Sequence, residues 1–441
     1  MIGKLPDRTQ KNLFQPLLSE FINLQHELVL LAEKINWKEL EDDFSPLYSS
    51  TGTPSKPIRL MCGLLILKQI YNLGDEALMP AWVSNPYFQY FCGEAHFQHK
   101  GPCDPSDLVH FRKRIGEKGI EKIFQQSIFI HGRDARQDEI CVDTTAQEKN
   151  ITFPTDVKNQ IKIIKKCHTI ANQEGIVQRR SYKRKVTELL LQSRFANHPK
   201  RKKQARKAQR KIKTIAGSLV RELERKLSAE SKQRHGHNLD FFKRVLVQQR
   251  NDSNKIYSLH ETEVACIAKG KAHKQYEFGS KVSVAITKTT GIIVGALSFK
   301  GNPYDGQTIS PTLDQHEKLT GKRAKIAIVD RGYPERIIKG TQVIKPSSGK
   351  GKTNYEKQKA RKRFRRRAAI EPTISHMKHQ YRMLKNYLKG SFGDRINALM
   401  AAAAYNFKKW MNKIRKKFLQ LFYFLLFLSP EKQVIAQKLS C

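Results

Sequence analysis

Acids are scarce in this sequence. Its 441 residues hold 40 Asp and Glu against 82 Lys and Arg, a formal net charge of +42. The imbalance argues for a polyanionic partner, whose phosphates Lys and Arg neutralise while counterions are released, and nucleic acid is the leading candidate. Charge of this kind names a partner class and no activity, since an RNA-coating protein would share it. Paired cysteines are missing as well. Cys62, Cys92, Cys103, Cys141, Cys167, Cys266 and Cys441 are odd in number and form no CxxC pair, which argues against a disulfide framework and for a reducing compartment. No apolar run is long enough for a membrane: Phe418 to Leu428 falls short of the about 20 residues a crossing needs, and it reads as a packed helix or strand. The opening MIGKLPDRTQKN lacks the apolar core of a signal peptide. A cytoplasmic protein is expected. No internal repeat is evident.

The chain is long enough for two or three units. Residues 1 to about 130 read as helical from apolar clusters at three- and four-residue spacing, in LLSEFINLQHELVLLAEKI, PIRLMCGLLILKQIYNL and DEALMPAWVSNPYFQYF. DPSDLVHFRKRIGEKGIEKIFQQ adds an N-cap at Asp104 or Ser106 and a basic face. It suits either a helix-turn-helix reader of duplex DNA or an ordinary bundle with a solvated basic face. Cys92, His96, His99 and Cys103 crowd into FCGEAHFQHKGPC. They offer zinc ligands, although the segment also reads as a helix end and a turn.

Strand alternation appears at Ile140, Val142 and Thr144 in QDEICVDTT, with a second strand expected at NITF after the polar turn AQEKN. From about Asp156 to Arg250 the pattern is helical and strongly basic. KRKKQARKAQRKIK, Lys200 to Lys213, holds nine basic residues and no acid. It is a helix face lying along phosphates or a solvated arm. Strands return in KIYSLHETEVACIAKG, YEFGSKVSVAITKT, GIIVGALSFKG and GKRAKIAIVDRGY. A long helix is expected over KQKARKRFRRRAAIEPTISHMKHQYRMLKNYLKG. The order is mixed α/β with one large interruption.

Three acids stand at element ends or on a helix in this basic surrounding: Asp143, Asp330 and Glu371. Hard carboxylate oxygens are the ligands that two Mg²⁺ ions about 4 Å apart need when they activate a hydroxyl and stabilise the leaving oxygen of a phosphodiester. Taken singly, each acid is better explained as an exposed strand-end Asp or an ion-paired helix Glu. Arg367 lies four residues before Glu371 and Lys378 seven after, so a regular helix puts all three on one face, with Phe364 on the same stripe. Among rival acids, Asp156, Glu277 and Asp305 lie in or near the same segments. Asp305 in NPYDG suits a turn-shaping role.

FRRRAAIEPTISHMK resembles the spaced Tyr, Arg, Glu, Lys motif of bacterial insertion-sequence DDE transposases, as Arg367, three residues, Glu371, six residues, Lys378. Phe364 stands where that motif has Tyr, which removes a hydroxyl and leaves a ring able to stack. ICVDTTAQEKNITFPTD resembles the family's first-Asp segment, GNPYDGQT its strand-edge turn and AIVDRGYPE its second-Asp segment. With PIRLMCGLLILKQIYN, the likeness is to the insertion-sequence-five type and covers most of the chain outside the basic insert. The resemblance implies an RNase H-like catalytic core, a mixed sheet flanked by helices, made of residues 136–155 and 251–412. A basic helical insert, 156–250, interrupts it; a helical N-terminal domain, 1–135, precedes it for DNA-end binding; a tail, 413–441, follows. It also implies that Asp143, Asp330 and Glu371 are catalytic and hold two Mg²⁺ ions, or Mn²⁺. Arg367, Lys378 and Phe364 would contact DNA, as would Lys200, Arg201, Lys202 and Lys203 of the insert. The implied partners are double-stranded DNA, as terminal inverted repeats and target, and further copies of the chain in a homodimer or larger synapse at a bacterial nucleoid. A DNA-binding protein without catalysis and a metal-dependent nuclease without strand joining are the alternatives.

Overall fold

In EICVDTTAQEK, β-branched and apolar residues run without a helix former's spacing, and the chain extends. The computed structural model describes residues 1–3, 5, 15–249, 251–268, 274–346 and 353–426. There this segment is one strand, β1, Glu139–Lys149. Seven strands follow: β2 Ala265–Ala268, β3 Tyr276–Thr287, β4 Ile293–Phe299, β5 Ile326–Ile328, β6 Arg336–Ile338, β7 Thr341–Ile344 and β8 Lys385–Asn386. The strand expected at NITF is not formed. β1 continues to Lys149 instead, and Pro154 and the N-cap Thr155, whose side chain accepts from the Lys158 N–H, turn the chain directly into a helix.

The chain divides into two units, residues 1–148 with 280–441 and residues 149–279. In the first, the strand order is β4, β3, β1, β5, β7, β6, with β8 also on β1. The β1–β5 and β5–β7 pairs are parallel, whereas β3–β4 and β6–β7 are antiparallel. Ile140, Cys141 and Val142 in β1 and Ala327 and Ile328 in β5 are buried, the continuous apolar run expected of strands covered on both faces. The sheet shares one hydrophobic core with the N-terminal helices, among them Glu27–Lys34, Ile58–Ile70 and Pro105–Phe129.

The helix Gly390–Leu426 joins these parts, packing on Pro105–Phe129, on Ile58–Ile70 and on β4. Its buried run Ala401 to Ala404 lets those neighbours approach closely. Just beyond that run, buried Asn406 stands in for a missing strand. Its Oδ1 accepts from the Ile293 N–H at 2.9 Å and its Nδ2 donates to the Ile293 carbonyl at 2.8 Å. The same amide donates to Ser127 Oγ at 3.2 Å.

The long helix expected around Glu371 is broken. One helix spans Asn354–Arg365, a 3₁₀ turn spans Arg366–Ala369, and a second helix spans Ile370–Gln380. Pro372 is the reason. It has no N–H for the carbonyl four residues earlier, so it is tolerated only in the first turn of a new helix. The basic face read on DPSDLVHFRKRIGEK is also altered. Its helix is kinked at Gly116, where φ is 65°, and Arg112 is buried with a bidentate bond to Asp75 at 3.0 and 2.7 Å.

Among its described residues the second unit holds four helices, Asp156–Gln173, Lys183–Ser193, Lys202–Lys226 and Ala229–Val247, and the short strand β2. Ala205, Ala208, Ile212, Ile215, Ala216, Leu219, Val220 and Leu223 form a buried stripe on the third. Lys200, Arg201, Lys202, Lys203, Arg206, Lys207, Arg210 and Lys211 are exposed. The basic run is thus the outer side of a packed helix and its lead-in. The part of the expected tail from residue 427 onward lies outside the described residues.

Because Asn406 is the partner of both Ile293 backbone groups, Asn406→Ala leaves a buried donor and a buried acceptor unpaired, at about 1–3 kcal/mol each. The expected outcome in calorimetry is a lowered melting temperature, with a loss of about 2–4 kcal/mol of stability. Ser127→Ala removes the 3.2 Å contact with Asn406 and the bond to the Phe124 carbonyl at 2.7 Å but leaves both Ile293 groups paired, and it should cost less, about 1 kcal/mol.

Candidate active site

The β1–β5 register pairs Glu139 with Ile326, Ile140 with Ala327 and Cys141 with Ile328. Two residues further along each strand stand Asp143 and Asp330. The register that seats two apolar strands side by side therefore brings two acids abreast at their carboxyl ends, where neighbouring strands are about 4.8 Å apart. Open parallel sheets place ligands at that edge. Asp330 lies past the end of β5, but its neighbour Val329 still donates to the Ile344 carbonyl at 3.0 Å, so the extended course is held.

The two carboxylates are tied in the same way. Asp143 Oδ1 accepts from the Thr144 N–H at 2.8 Å, and Asp330 Oδ1 accepts from the Arg331 N–H at 2.6 Å. Each Oδ2 then faces one group: Arg367 Nη2 lies 3.7 Å from that of Asp143 and 3.3 Å from that of Asp330. Both contacts are longer than the about 2.7–2.9 Å of a charge-assisted hydrogen bond. Arg367 Nε is buried without a hydrogen-bond partner.

Asp305 is a third acid at this place. It is the first residue of the helix Asp305–Thr320, where it accepts from Thr144 Oγ1 at 2.8 Å and from Lys281 Nζ at 2.9 Å. Lys281 also donates to the Pro303 carbonyl at 2.7 Å. The loop after Asp330 is fastened to the start of that helix, since Tyr304 Oη donates to the Gly332 carbonyl at 2.6 Å and Arg336 Nη2 to the Gly306 carbonyl at 2.8 Å. Tyr333 is buried beneath. Sequence reasoning missed Lys281 and Thr144; a single cation among the small and apolar residues of SKVSVAIT was the available signal.

Burial pushes the Asp143 carboxyl above its usual range, and the charges of Asp330 and Asp305 add to the rise, while the Thr144 N–H and Arg367 oppose it. Burial likewise raises the Tyr333 phenol, with the charges of Asp305 and Asp143 contributing. The site is one in which carboxylates are held close at a cost.

The remaining predicted residues are placed differently. Glu371, in the first turn of its helix, is exposed and its side chain has no ion pair with a described residue. Among the described residues no three acids, imidazoles or thiols stand close enough together to hold a metal ion. Phe364 is half-buried against the hydrophobic core, which accounts for its ring by packing. Lys378 is half-buried on the helix Ile370–Gln380. Lys200, Arg201, Lys202 and Lys203 belong to the second unit. Of the FCGEAHFQHKGPC set, Cys92 is fully buried and its thiol is pushed up by burial, while His96 Nδ1 lies 3.2 Å from the Pro16 carbonyl. Asp143 and Asp330 do fit a divalent ion: each offers a hard oxygen, Oδ2, aimed at a shared point from a fixed strand end.

Two family models match the chain, one described as a transposase domain (DUF772) over residues 16–114 and one as a transposase DDE domain over residues 250–407. The second range contains Asp330 and Glu371; neither contains Asp143. The chain is 35% identical over 198 residues to a protein of Rhizobium meliloti named uncharacterized protein ORF8 in the nfe locus, a match that covers 44% of this chain and 96% of that protein. No solved structure matches.

The raised Asp143 pKa makes a stability prediction whose sign follows from linkage. An acid with a folded pKa above its unfolded one penalises the fold when ionised, at pH above the folded pKa, and the penalty fades as pH falls to the unfolded pKa. Asp143→Asn keeps the acceptor for the Thr144 N–H and removes the charge. Without added divalent ions, its melting temperature should exceed that of the wild type at pH 8, with the gain shrinking toward pH 4. An unchanged or lowered melting temperature at pH 8 would contradict this account of the site.

Proposed function

Because the chain belongs to the DDE transposases of bacterial insertion sequences, we propose that it cuts and joins the ends of its own element through Asp143, Asp330 and Glu371. The observation that carries the reading is the pair of carboxylates set abreast by the β1–β5 register, each with one oxygen aimed at the same cation. The family implies an RNase H-like core, and the mixed sheet with Asp143 on a central strand supports that assignment.

Asp143 and Asp330 would hold divalent ions, Mg²⁺ or Mn²⁺, and Glu371 would complete the set. Such ions, when bound, supply Lewis acidity at the scissile phosphate and lower the pKa of a bound water. The protein's share of the chemistry is position. Fixed strand ends keep the acids from relaxing apart, the Thr144 and Arg331 N–H groups orient their carboxylates, and the fastened loop after Asp330 keeps that edge ordered. In cleavage, a water oxygen bonds to phosphorus and the 3′ oxygen leaves with a proton, giving a 3′-hydroxyl. In joining, that hydroxyl attacks a target phosphorus and the target's own 3′ oxygen leaves. Both are in-line displacements, so one site serves both.

Binding rests on cations. The exposed Lys200, Arg201, Lys202 and Lys203 are assigned to phosphate contact, with the N-terminal helices recognising the terminal inverted repeats. Two ends must meet for joining, which calls for a dimer or larger synapse. No helix among the described residues is long and apolar enough to cross a membrane.

Excision from a plasmid carrying the gene's flanking DNA tests the enzyme reading. Glu371→Gln should lower metal-dependent excision by about 10³-fold or more, since removing a metal ligand takes away several kcal/mol of transition-state stabilisation. Wild-type protein that binds those ends yet never cuts them with Mg²⁺ or Mn²⁺ would make the chain a binding protein. For the insert, replacing Lys200, Arg201, Lys202 and Lys203 by Gln should weaken duplex binding equally across sequences. It should also flatten the slope of log K against log salt by up to about 3.6, at about 0.9 for each phosphate no longer neutralised.

A further inference from the structure

We propose that Arg367 is a displaceable plug in the carboxylate site: its guanidinium holds Asp143 and Asp330 together in the protein alone and leaves them for a DNA phosphate, so that ion loading is coupled to substrate. The proposal rests on the reading that these acids hold ions, and it gives that site a control.

Position comes first. Arg367 Nη2 lies 3.7 Å from Asp143 Oδ2 and 3.3 Å from Asp330 Oδ2, the oxygens that a divalent ion would take. Guanidinium and ion carry like charge and need the same oxygens, so they exclude each other. The acids' other charged neighbour, Asp305, is already matched by Lys281 at 2.9 Å. Among the described residues, Arg367 is the cation ion-paired to Asp143 and Asp330.

The contact is poorly made. Neither distance is that of a charge-assisted hydrogen bond, and the buried Nε has no partner, although an arginine buried for good satisfies its donors. A phosphate offers the guanidinium two parallel hydrogen bonds instead. The route outward is short. Arg367 sits in the 3₁₀ turn Arg366–Ala369, and its neighbours Arg365 and Arg366 are exposed. A backbone drawn to those cations arrives next to the plug.

Coupling of this kind is reciprocal: whatever factor DNA contributes to ion affinity, ions contribute to DNA affinity. The test is Mn²⁺ binding to the full-length protein by titration calorimetry, with and without a short DNA duplex. Arg367→Gln without DNA should bind Mn²⁺ about tenfold more tightly than wild type, within the range usual for coupled sites. DNA should tighten binding in the wild type and change little in Arg367→Gln. Arg367→Lys, which keeps the charge, should stay closer to wild type and guards against a folding defect. Arg367→Gln binding no more tightly than wild type, or keeping the full response to DNA, would overturn the proposal. Asp330→Asn separates the underlying reading: if Arg367→Gln with Asp330→Asn binds Mn²⁺ as well as Arg367→Gln alone, the ions are not at these acids and both fail. Failure of the first comparison with loss of binding in Asp330→Asn sinks the plug alone.

Discussion

The site depends on one register. Parallel pairing of β1 with β5 is fixed by what the two strands bury: Ile140, Cys141 and Val142 against Ala327 and Ile328. With both faces covered, a slip of one residue would exchange Ile140 and Val142 with the smaller Cys141 between two packed faces, overfilling one and leaving a void in the other. The same register sets Asp143 beside Asp330, so apolar packing along the strands forces like charges together at their ends. The energy that holds the acids in place comes from elsewhere in the sheet. A site assembled from loops would let the carboxylates drift apart; strand ends do not.

Everything near the two acids answers that repulsion. The Thr144 and Arg331 N–H groups each take one carboxylate oxygen, Arg367 faces the others, and Lys281 covers Asp305. These contacts leave the Asp143 pKa raised. The compensation is incomplete, and the burial of Asp143 outweighs it. Stability is recovered away from the site. The helix Gly390–Leu426 buries Ala401 to Ala404, Phe407 and Met411, and Asn406 pairs both backbone groups of Ile293 on β4. The N-terminal helices close on the same core. Rigid packing on one side allows strain at the other.

What the sequence disclosed follows the range of the interactions involved. Asp330 was visible because a buried strand writes itself as an apolar run, and the acid that ends such a run is conspicuous. The basic helix of the second unit was visible because its apolar stripe repeats every three or four residues through Ile212, Ile215 and Leu219. The strand expected at NITF failed on a local competition: Ile151, Thr152 and Phe153 could not outweigh Pro154 and the Thr155 cap that start the next helix. Asp305 was read as a turn residue, and its pairing with Lys281 on β3 could not be seen, because that contact exists only once the helix Asp305–Thr320 is laid beside the sheet. For Arg367, spacing from Glu371 points to the neighbourhood of the acids and to a phosphate contact; in the protein alone the residue faces Asp143 and Asp330, a contact that no spacing along one helix encodes.

That orientation has a local cause. In a regular helix, residues four apart are separated by about 40° around the axis, so Arg367 and Glu371 would share a face. A 3₁₀ turn advances about 120° per residue, so with the two steps from Arg367 to Ala369 wound that way and the two to Glu371 helical, the same positions are separated by about 80°. The stretch Arg366–Ala369 is wound the tighter way because Pro372 cannot take its place in a continuing helix. Arg367 therefore points at Asp143 and Asp330 while Glu371 stands exposed. One imino acid decides which of the two groups faces the strand ends. Winding the same four residues at 3.6 per turn would return Arg367 and Glu371 to one face, so a single segment contains both arrangements and differs between them only in pitch.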